Sequence, residues 1–321
     1  MRLFTGIQPS GDLHIGNYFG SIKPMIDSQG DNEIFAFIAN YHAMTSVNDG
    51  EKLANLTMQS AMDFLALGLD PQKTTFWVQS DVKEVLELYW ILSSFTSMGL
   101  LERGHSYKDK TSRGIGANHS LFSYPVLMAA DILLFNSQIV PVGKDQIQHV
   151  EMARDIAIKF NNQYGNILTI PEYRVDEDVK TVPGIDGQKM SKSYGNTINI
   201  FGEEKKQTKT IKKIVTENVS MEEPKEWADC NVYNITKLFL DDSAQSELQK
   251  RYEKGGEGHG HFKLYTAEVI WDYYAPYREK RAYLEANQNE VREILTLGAN
   301  KARASAQEVI EKVRSATGIS Y

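Results

Sequence analysis

The sequence predicts an α/β protein: a doubly wound parallel sheet with an α-helical second domain. Three observations predict it. Short β-prone segments alternate with helical apolar stripes as far as about residue 157. One of those segments, Glu33 to Ala39 (EIFAFIA), is almost continuously apolar, as a parallel strand covered on both faces requires. Beyond Ser193 strand-like runs vanish, charge rises and helical stripes take over.

The elements follow in order. Leu3 to Ile7 is a short β-prone segment, and Ser10-Gly11-Asp12 is a turn leading to Ile15, Tyr18 and Phe19 at near-helical spacing. After the strand at Glu33, the residues Leu53, Leu56, Met58, Ala61, Met62 and Leu65 recur at helical steps, with Gly68 placed to stop the helix. Thr75 to Gln79 reads as the next strand and Glu84 to Leu92 as the next helix. A helix over residues 124–134, a strand over 138–142 and a stripe through Ile147, Val150, Ala153, Ile156 and Ala157 continue the alternation. In the C-terminal part, Ile235, Leu238 and Phe239, then Ala267, Ile270, Trp271 and Tyr274, mark helices. Val291, Ile294 and Leu295 form a stripe separated by Gly298 from another through Ala306, Val309, Ile310 and Val313, and Gly298 suits a helix end there. The expected organisation is a Rossmann-like domain over residues 1–194 and a helical domain over 195–298, with a C-terminal helix over 300–316 able to pack back and complete the first.

Composition narrows the function. The formal net charge of −7 excludes a general basic field for nonspecific polyanion binding, so any nucleic acid must meet local basic patches. A single cysteine, Cys230, excludes an internal disulfide framework and a cysteine-based zinc site. No apolar run reaches the roughly 20 residues that a membrane-spanning helix needs, and the N-terminus lacks the apolar core of a secretion signal, so a cytoplasmic protein is expected.

Two motifs carry chemistry. His14-Ile15-Gly16-Asn17 follows the first strand and opens a helical segment, where exposed backbone N–H groups seat a nucleotide phosphate. Gln8-Pro9-Ser10-Gly11 supplies a polar turn at the same strand end, and Gly16 allows close approach of a ligand to the backbone. Lys189-Met190-Ser191-Lys192-Ser193 lies in a glycine-flanked, mobile-looking loop, and its lysines suit the charge that develops on a departing pyrophosphate. A solvated lysine and serine surface loop would have similar composition.

Together these segments resemble the two signatures of the class I aminoacyl-tRNA synthetases. Within that class, residues 6–11, Gly16-Asn17-Tyr18, Met128-Ala129-Ala130-Asp131-Ile132-Leu133 and Gly143-Lys144-Asp145-Gln146-Ile147-Gln148-His149 resemble the bacterial tryptophan-specific branch. The resemblance implies activation of L-tryptophan with ATP to an adenylate plus pyrophosphate, then transfer to tRNA(Trp). It implies Asp131 as acceptor of the indole N–H, the ring's one polar handle, in a pocket with Phe4, Gly6, His42, Tyr124 and Met128. It implies ATP contacts from Gln8, Pro9, Ser10, His14, Gly16, Asn17, Gly143, Lys144, Asp145, Gln146, Val182, Lys189, Met190, Ser191, Lys192 and Ser193. Lys189, Lys192 and Lys110 would stabilise the transferring phosphates. Mg²⁺ would enter with ATP, with no protein-bound metal site, and relatives are symmetric homodimers.

Two positions depart from the pattern: His14 stands where many relatives carry Thr, and Ser106 where they often carry Gln near the substrate amino group. The helical domain would read the anticodon, and Lys205, Lys206, Lys209, Lys212 and Lys213 could contact phosphates or form a solvated helix face. A tyrosine-specific relative, a small-molecule adenylyltransferase and a tryptophan-binding regulatory paralogue share parts of the pattern. The tyrosine enzyme would need a phenol-binding pair that is not found, and the adenylyltransferase would not need a helical tRNA domain.

Overall fold

The computed structural model describes residues 1–104, 118–175 and 182–320. Five parallel strands, β1 (Arg2–Ile7), β2 (Glu33–Ile38), β3 (Thr74–Val78), β4 (Ile139–Pro141) and β5 (Glu172–Arg174), form one sheet in the order β3-β2-β1-β4-β5. The chain winds outward from β1 through β2 and β3, then returns to the other side of β1. The winding therefore reverses between β1 and β4, and a crevice opens there at the carboxyl ends of the strands.

Side chains alternate across the sheet as the pleat demands. In register, Phe4 lies beside Phe35, and Phe37 lies between Gly6 and Trp77. Those aromatics form one buried core, while Leu3, Ile34, Ala36, Ile38 and Phe76 belong to a second core on the opposite face. β2 is buried along five of its six residues, as its unbroken apolar run predicts.

The longer helices of the first part are α1 (Gly50–Ala66), α2 (Glu84–Ser93), α3 (His119–Leu134) and α4 (Ile147–Tyr164). The α1 helix starts where Asp49 accepts the Lys52 amide at 2.8 Å, a side-chain cap for one of the unsatisfied first-turn donors. The α3 helix begins at His119, earlier than the expected residue 124. Asn118 caps it by accepting the Leu121 amide at 2.9 Å, and the helix carries Pro125 inside. β5 was absent from the sequence reading, being three exposed residues, Glu-Tyr-Arg, with no apolar alternation.

The later part is helical: α5 (Glu204–Ile211), α6 (Asp242–Lys254), α7 (His259–Tyr273), α8 (Ala275–Ala286) and α9 (Gln288–Thr317). The expected helix end at Gly298 is wrong, because α9 runs unbroken through it. The glycine serves close approach instead. A Cβ on Gly298 would lie 1.8 Å from the Phe76 carbonyl oxygen, so α9 presses its backbone against the edge strand β3 and covers it. On one side of this crossing Val291 and Leu295 join the core that holds Phe76; on the other Ala302, Ala306, Val309 and Ile310 join the aromatic core. No described helix is long and apolar enough to cross a membrane.

Besides the crossing of α9 over β3, an ion pair and a tyrosine cluster are among the contacts that join the helical part to the sheet part. Arg281 of α8 donates to the buried carboxylate of Asp63 on α1 at 2.6 Å. The Tyr18 hydroxyl lies 3.0 Å from that of Tyr273 and 3.3 Å from that of Tyr277. Tyr18 directly follows the His14–Asn17 segment, so the second contact abuts the expected nucleotide turn.

Candidate active site

Residues 8–11 leave the carboxyl end of β1, and Gly143, Lys144, Asp145 and Gln146 follow the adjacent β4, so both expected nucleotide segments border the crevice. His14 caps a helical stretch that opens with Ile15–Asn17 and runs on through Tyr18–Ile22 and Lys23–Asp27. Its Nδ1 accepts the Asn17 amide at 3.3 Å, and its own amide donates to Asn17 Oδ1 at 3.1 Å. An accepting Nδ1 places the proton of the neutral ring on Nε2. Burial, and then the nearby Lys192 charge, lower the His14 pKa to about 4, so the imidazole is neutral at pH 7.

The lysine loop folds against this turn. Ile15 N–H donates to the Ile198 carbonyl at 3.0 Å, and Ile200 N–H to the Leu13 carbonyl at 2.9 Å. A Cβ on Gly16 would meet Met190 Cβ at 3.3 Å, which explains the small residue at this position. Lys192 Nζ donates to the carbonyls of Ser10 and Gly11 at 3.2 and 3.1 Å and approaches Ser10 Oγ at 3.3 Å. Desolvation lowers the Lys192 pKa, and the charges of Asp12 and Asp63 oppose that shift.

Within the loop Met190 N–H donates to the Val182 carbonyl at 2.9 Å, and the side chains of both residues are buried in the core. They anchor the loop. Lys189 and Ser193 are exposed, and Ser191 Oγ accepts the Ser193 amide at 3.3 Å. The loop's shape depends on a residue the sequence reading missed, the buried Asn196. Its Oδ1 accepts the Ser191 amide at 2.7 Å while its Nδ2 donates to the Lys189 carbonyl at 3.1 Å and to Asp186 at 2.8 Å. Across the crevice, the Gln146 amide donates to Asp145 Oδ2 at 3.3 Å, and the Asp145 side chain remains exposed.

The second cluster centres on Asp131, which α3 carries into the interior with 2 % exposure. His42 Nε2 lies 2.8 Å from its Oδ2. Gln79 Nε2 lies 2.9 Å from Oδ1 and 2.8 Å from Oδ2. Burial pushes the Asp131 carboxyl upward in pKa, and the bonds and charge from His42, then Gln79, oppose it. Tyr124, two turns earlier on α3, sets its ring 6.2 Å from that of His42, and its hydroxyl bonds His149 Nε2 on α4. Met128, one turn before Asp131, is half-buried. Gly6 is exposed at the end of β1, whereas Phe4 is enclosed by Phe37 and Phe135 at ring distances of 5.0 and 5.5 Å and supports the pocket from the core.

Of the expected amino-acid residues, His42 meets Asp131 directly and Tyr124 packs beside His42. Gln79 was missed as well, although a polar residue in the first position beyond a buried strand was a usable signal. Lys110 and Ser106 lie outside the described residues. Among the described residues no group of three His, Cys, Asp or Glu side chains could hold a metal, and His259 and His261 open α7 without further ligands.

Residues 1–274 match the family of class I tRNA synthetases for W and Y, tryptophan and tyrosine. The chain belongs to this family. The synthetase is 61% identical over 319 residues to the tryptophan–tRNA ligase of Campylobacter jejuni, spanning 99% of this chain and 100% of that one. It is 50% identical to the ligase of the same name from Fusobacterium nucleatum, over 99% and 98% of the two chains. The crystal structure of the C. jejuni tryptophanyl-tRNA synthetase complexed with ADP and tryptophan superposes with a TM-score of 0.97 at 61% identity, covering 99% of this synthetase and 100% of that chain. The Mycoplasma pneumoniae tryptophanyl-tRNA synthetase superposes with a TM-score of 0.83 at 27% identity, over 99% and 98%.

Proposed function

We propose that this synthetase is a tryptophan–tRNA ligase. The observation that carries the reading is Asp131: a buried carboxylate held by two donors that follow the carboxyl ends of β2 and β3. It offers an acceptor to the single N–H of an indole. A site built around a buried acceptor penalises a ligand that leaves it unsatisfied, by a factor on the order of 10⁴ where such selectivity is fully developed.

The reaction needs no side-chain base, because the tryptophan carboxylate is ionised at neutral pH. One of its oxygens attacks the α-phosphorus of ATP, the bond to the bridging oxygen breaks, and pyrophosphate leaves with that oxygen and its electron pair. Lys189, Lys192 and Lys110 stabilise the leaving charge, while the amides of the turn and neutral His14 Nε2–H orient the phosphates. Mg²⁺ arrives on the nucleotide, with charge neutralisation as its chemical contribution. The 2′-hydroxyl of the terminal adenosine of tRNA(Trp) then attacks the adenylate carbonyl and releases AMP. The helical part takes the anticodon side of the tRNA, with Lys205, Lys206 and Lys209 on α5 and Lys212 and Lys213 beyond it available to phosphates.

We place the enzyme in the cytoplasm as a homodimer. Exposed Trp90 and Leu86 on α2, with exposed Met98 nearby in sequence, form the apolar surface for the contact. ATP–pyrophosphate exchange that requires tryptophan, followed by charging of tRNA(Trp), tests the reading. Exchange supported by tyrosine instead, or tryptophan binding without exchange, would replace it with the tyrosine-specific or the regulatory alternative.

A further inference from the structure

We propose that Gln79 is a positioning residue for side-chain specificity: together with His42 it loads one oxygen of the Asp131 carboxylate, Oδ2, and leaves Oδ1 to accept from the ligand. The inference rests on the tryptophan reading and deepens it. Gln79 is the first residue beyond β3 and is 2 % exposed. Its amide orientation is fixed by chemistry, because the Tyr41 backbone N–H donates to its Oε1 at 3.0 Å. The opposite orientation would set an NH₂ group against that N–H.

The nitrogen must therefore face Asp131. It lies 2.8 Å from Oδ2, where His42 Nε2 also lies at 2.8 Å, and 2.9 Å from Oδ1. An ionised carboxylate has about four lone-pair positions, two on each oxygen. Among the described residues two donor nitrogens serve this carboxylate: His42 Nε2 meets Oδ2, and Gln79 Nε2 is shared between Oδ2 and Oδ1, so Oδ1 is the oxygen with the more spare acceptor capacity. Indole has one N–H and no acceptor, so it matches the spare capacity of Oδ1 in sign. The Asn40–Ala43 turn supplies both constraints, since Tyr41 holds Gln79 and the next residue, His42, bonds Asp131 itself.

The test compares Gln79→Leu with wild type in ATP–pyrophosphate exchange, using tryptophan and 3-benzothienylalanine, in which sulfur replaces the N–H. Both enzymes are also measured in an Asp131→Asn background. Gln79→Met, close to glutamine in volume, serves the same purpose if the leucine variant melts early. The expected result is a tryptophan KM raised about ten- to a hundredfold with the ATP KM unchanged, a far smaller change for the sulfur analogue, and little further loss in the Asp131→Asn background. Equal losses for both amino acids, full additivity with Asp131→Asn, or no loss for tryptophan would overturn it. Wild type lacking tryptophan-dependent exchange would instead remove the underlying reading.

Discussion

The Lys192 ammonium donates to the Gly11 carbonyl at 3.1 Å, tying the second lysine of the loop to the backbone of the nucleotide turn. Two segments widely separated in sequence therefore meet, and in the proposed reading the lysine is held within reach of the phosphate oxygens of a nucleotide on that turn.

Lys192→Ala should slow adenylate formation by the equivalent of about 2.7–4 kcal/mol, as loss of one transition-state contact does. Tryptophan binding should change little, because Asp131 and its donors do not touch the loop. Pre-steady-state quench-flow, read beside equilibrium tryptophan binding, separates the two effects; an unchanged adenylate rate would remove Lys192 from the mechanism.

His14 titrates at about 4, below its ordinary value near 6.5, so the folded state favours the neutral ring. The corresponding stability is present above pH 6.5 and is lost as pH falls toward 4, amounting to about 3 kcal/mol at 1.36 kcal/mol per unit. His14→Thr can cap the same turn and should flatten that part of the curve while keeping exchange activity within about tenfold. Urea melts at pH 7, 5.5 and 4.5 give the slopes; parallel curves for the two proteins would contradict the assignment.

Gly298→Ala should destabilise by about 3 kcal/mol, opposite in sign to the gain of up to about 1 kcal/mol that alanine gives in a helix interior. The reason is the 1.8 Å approach its Cβ would make to the Phe76 carbonyl oxygen. A melting temperature equal to or above wild type would show that α9 and β3 are not in this contact.

Arg281→Met leaves the buried Asp63 carboxylate without its 2.6 Å partner and should cost about 3–5 kcal/mol at pH 8. Burial already raises the Asp63 pKa against the opposing effect of Arg281, and removing the arginine raises it further. The variant's deficit should therefore shrink as pH falls and Asp63 protonates. A deficit independent of pH would mean the carboxylate is not the source of the cost.

The sheet was legible because burial on both faces writes itself as an unbroken apolar run, as in Glu33–Ile38. β5 was not, because three exposed polar residues at a sheet edge have the composition of a loop. Gly298 was misread because glycine serves both helix ends and close backbone approach, and sequence spacing does not distinguish them. The signatures marked the nucleotide turn and lysine loop, but not the residues that shape them. Asn196 and Gln79 act through buried amide hydrogen bonds whose partners lie in other segments, and neither has periodicity or a motif to announce it.

In the proposed reading the buried Asp131 carboxylate selects tryptophan. Tryptophan-dependent exchange and charging by Asp131→Asn test it most directly. The kcat/KM for tryptophan should fall by about a hundredfold or more, with the ATP KM retained, since a buried acceptor has been replaced by a group that is half donor. An Asp131→Asn enzyme with wild-type kcat/KM for tryptophan would contradict it.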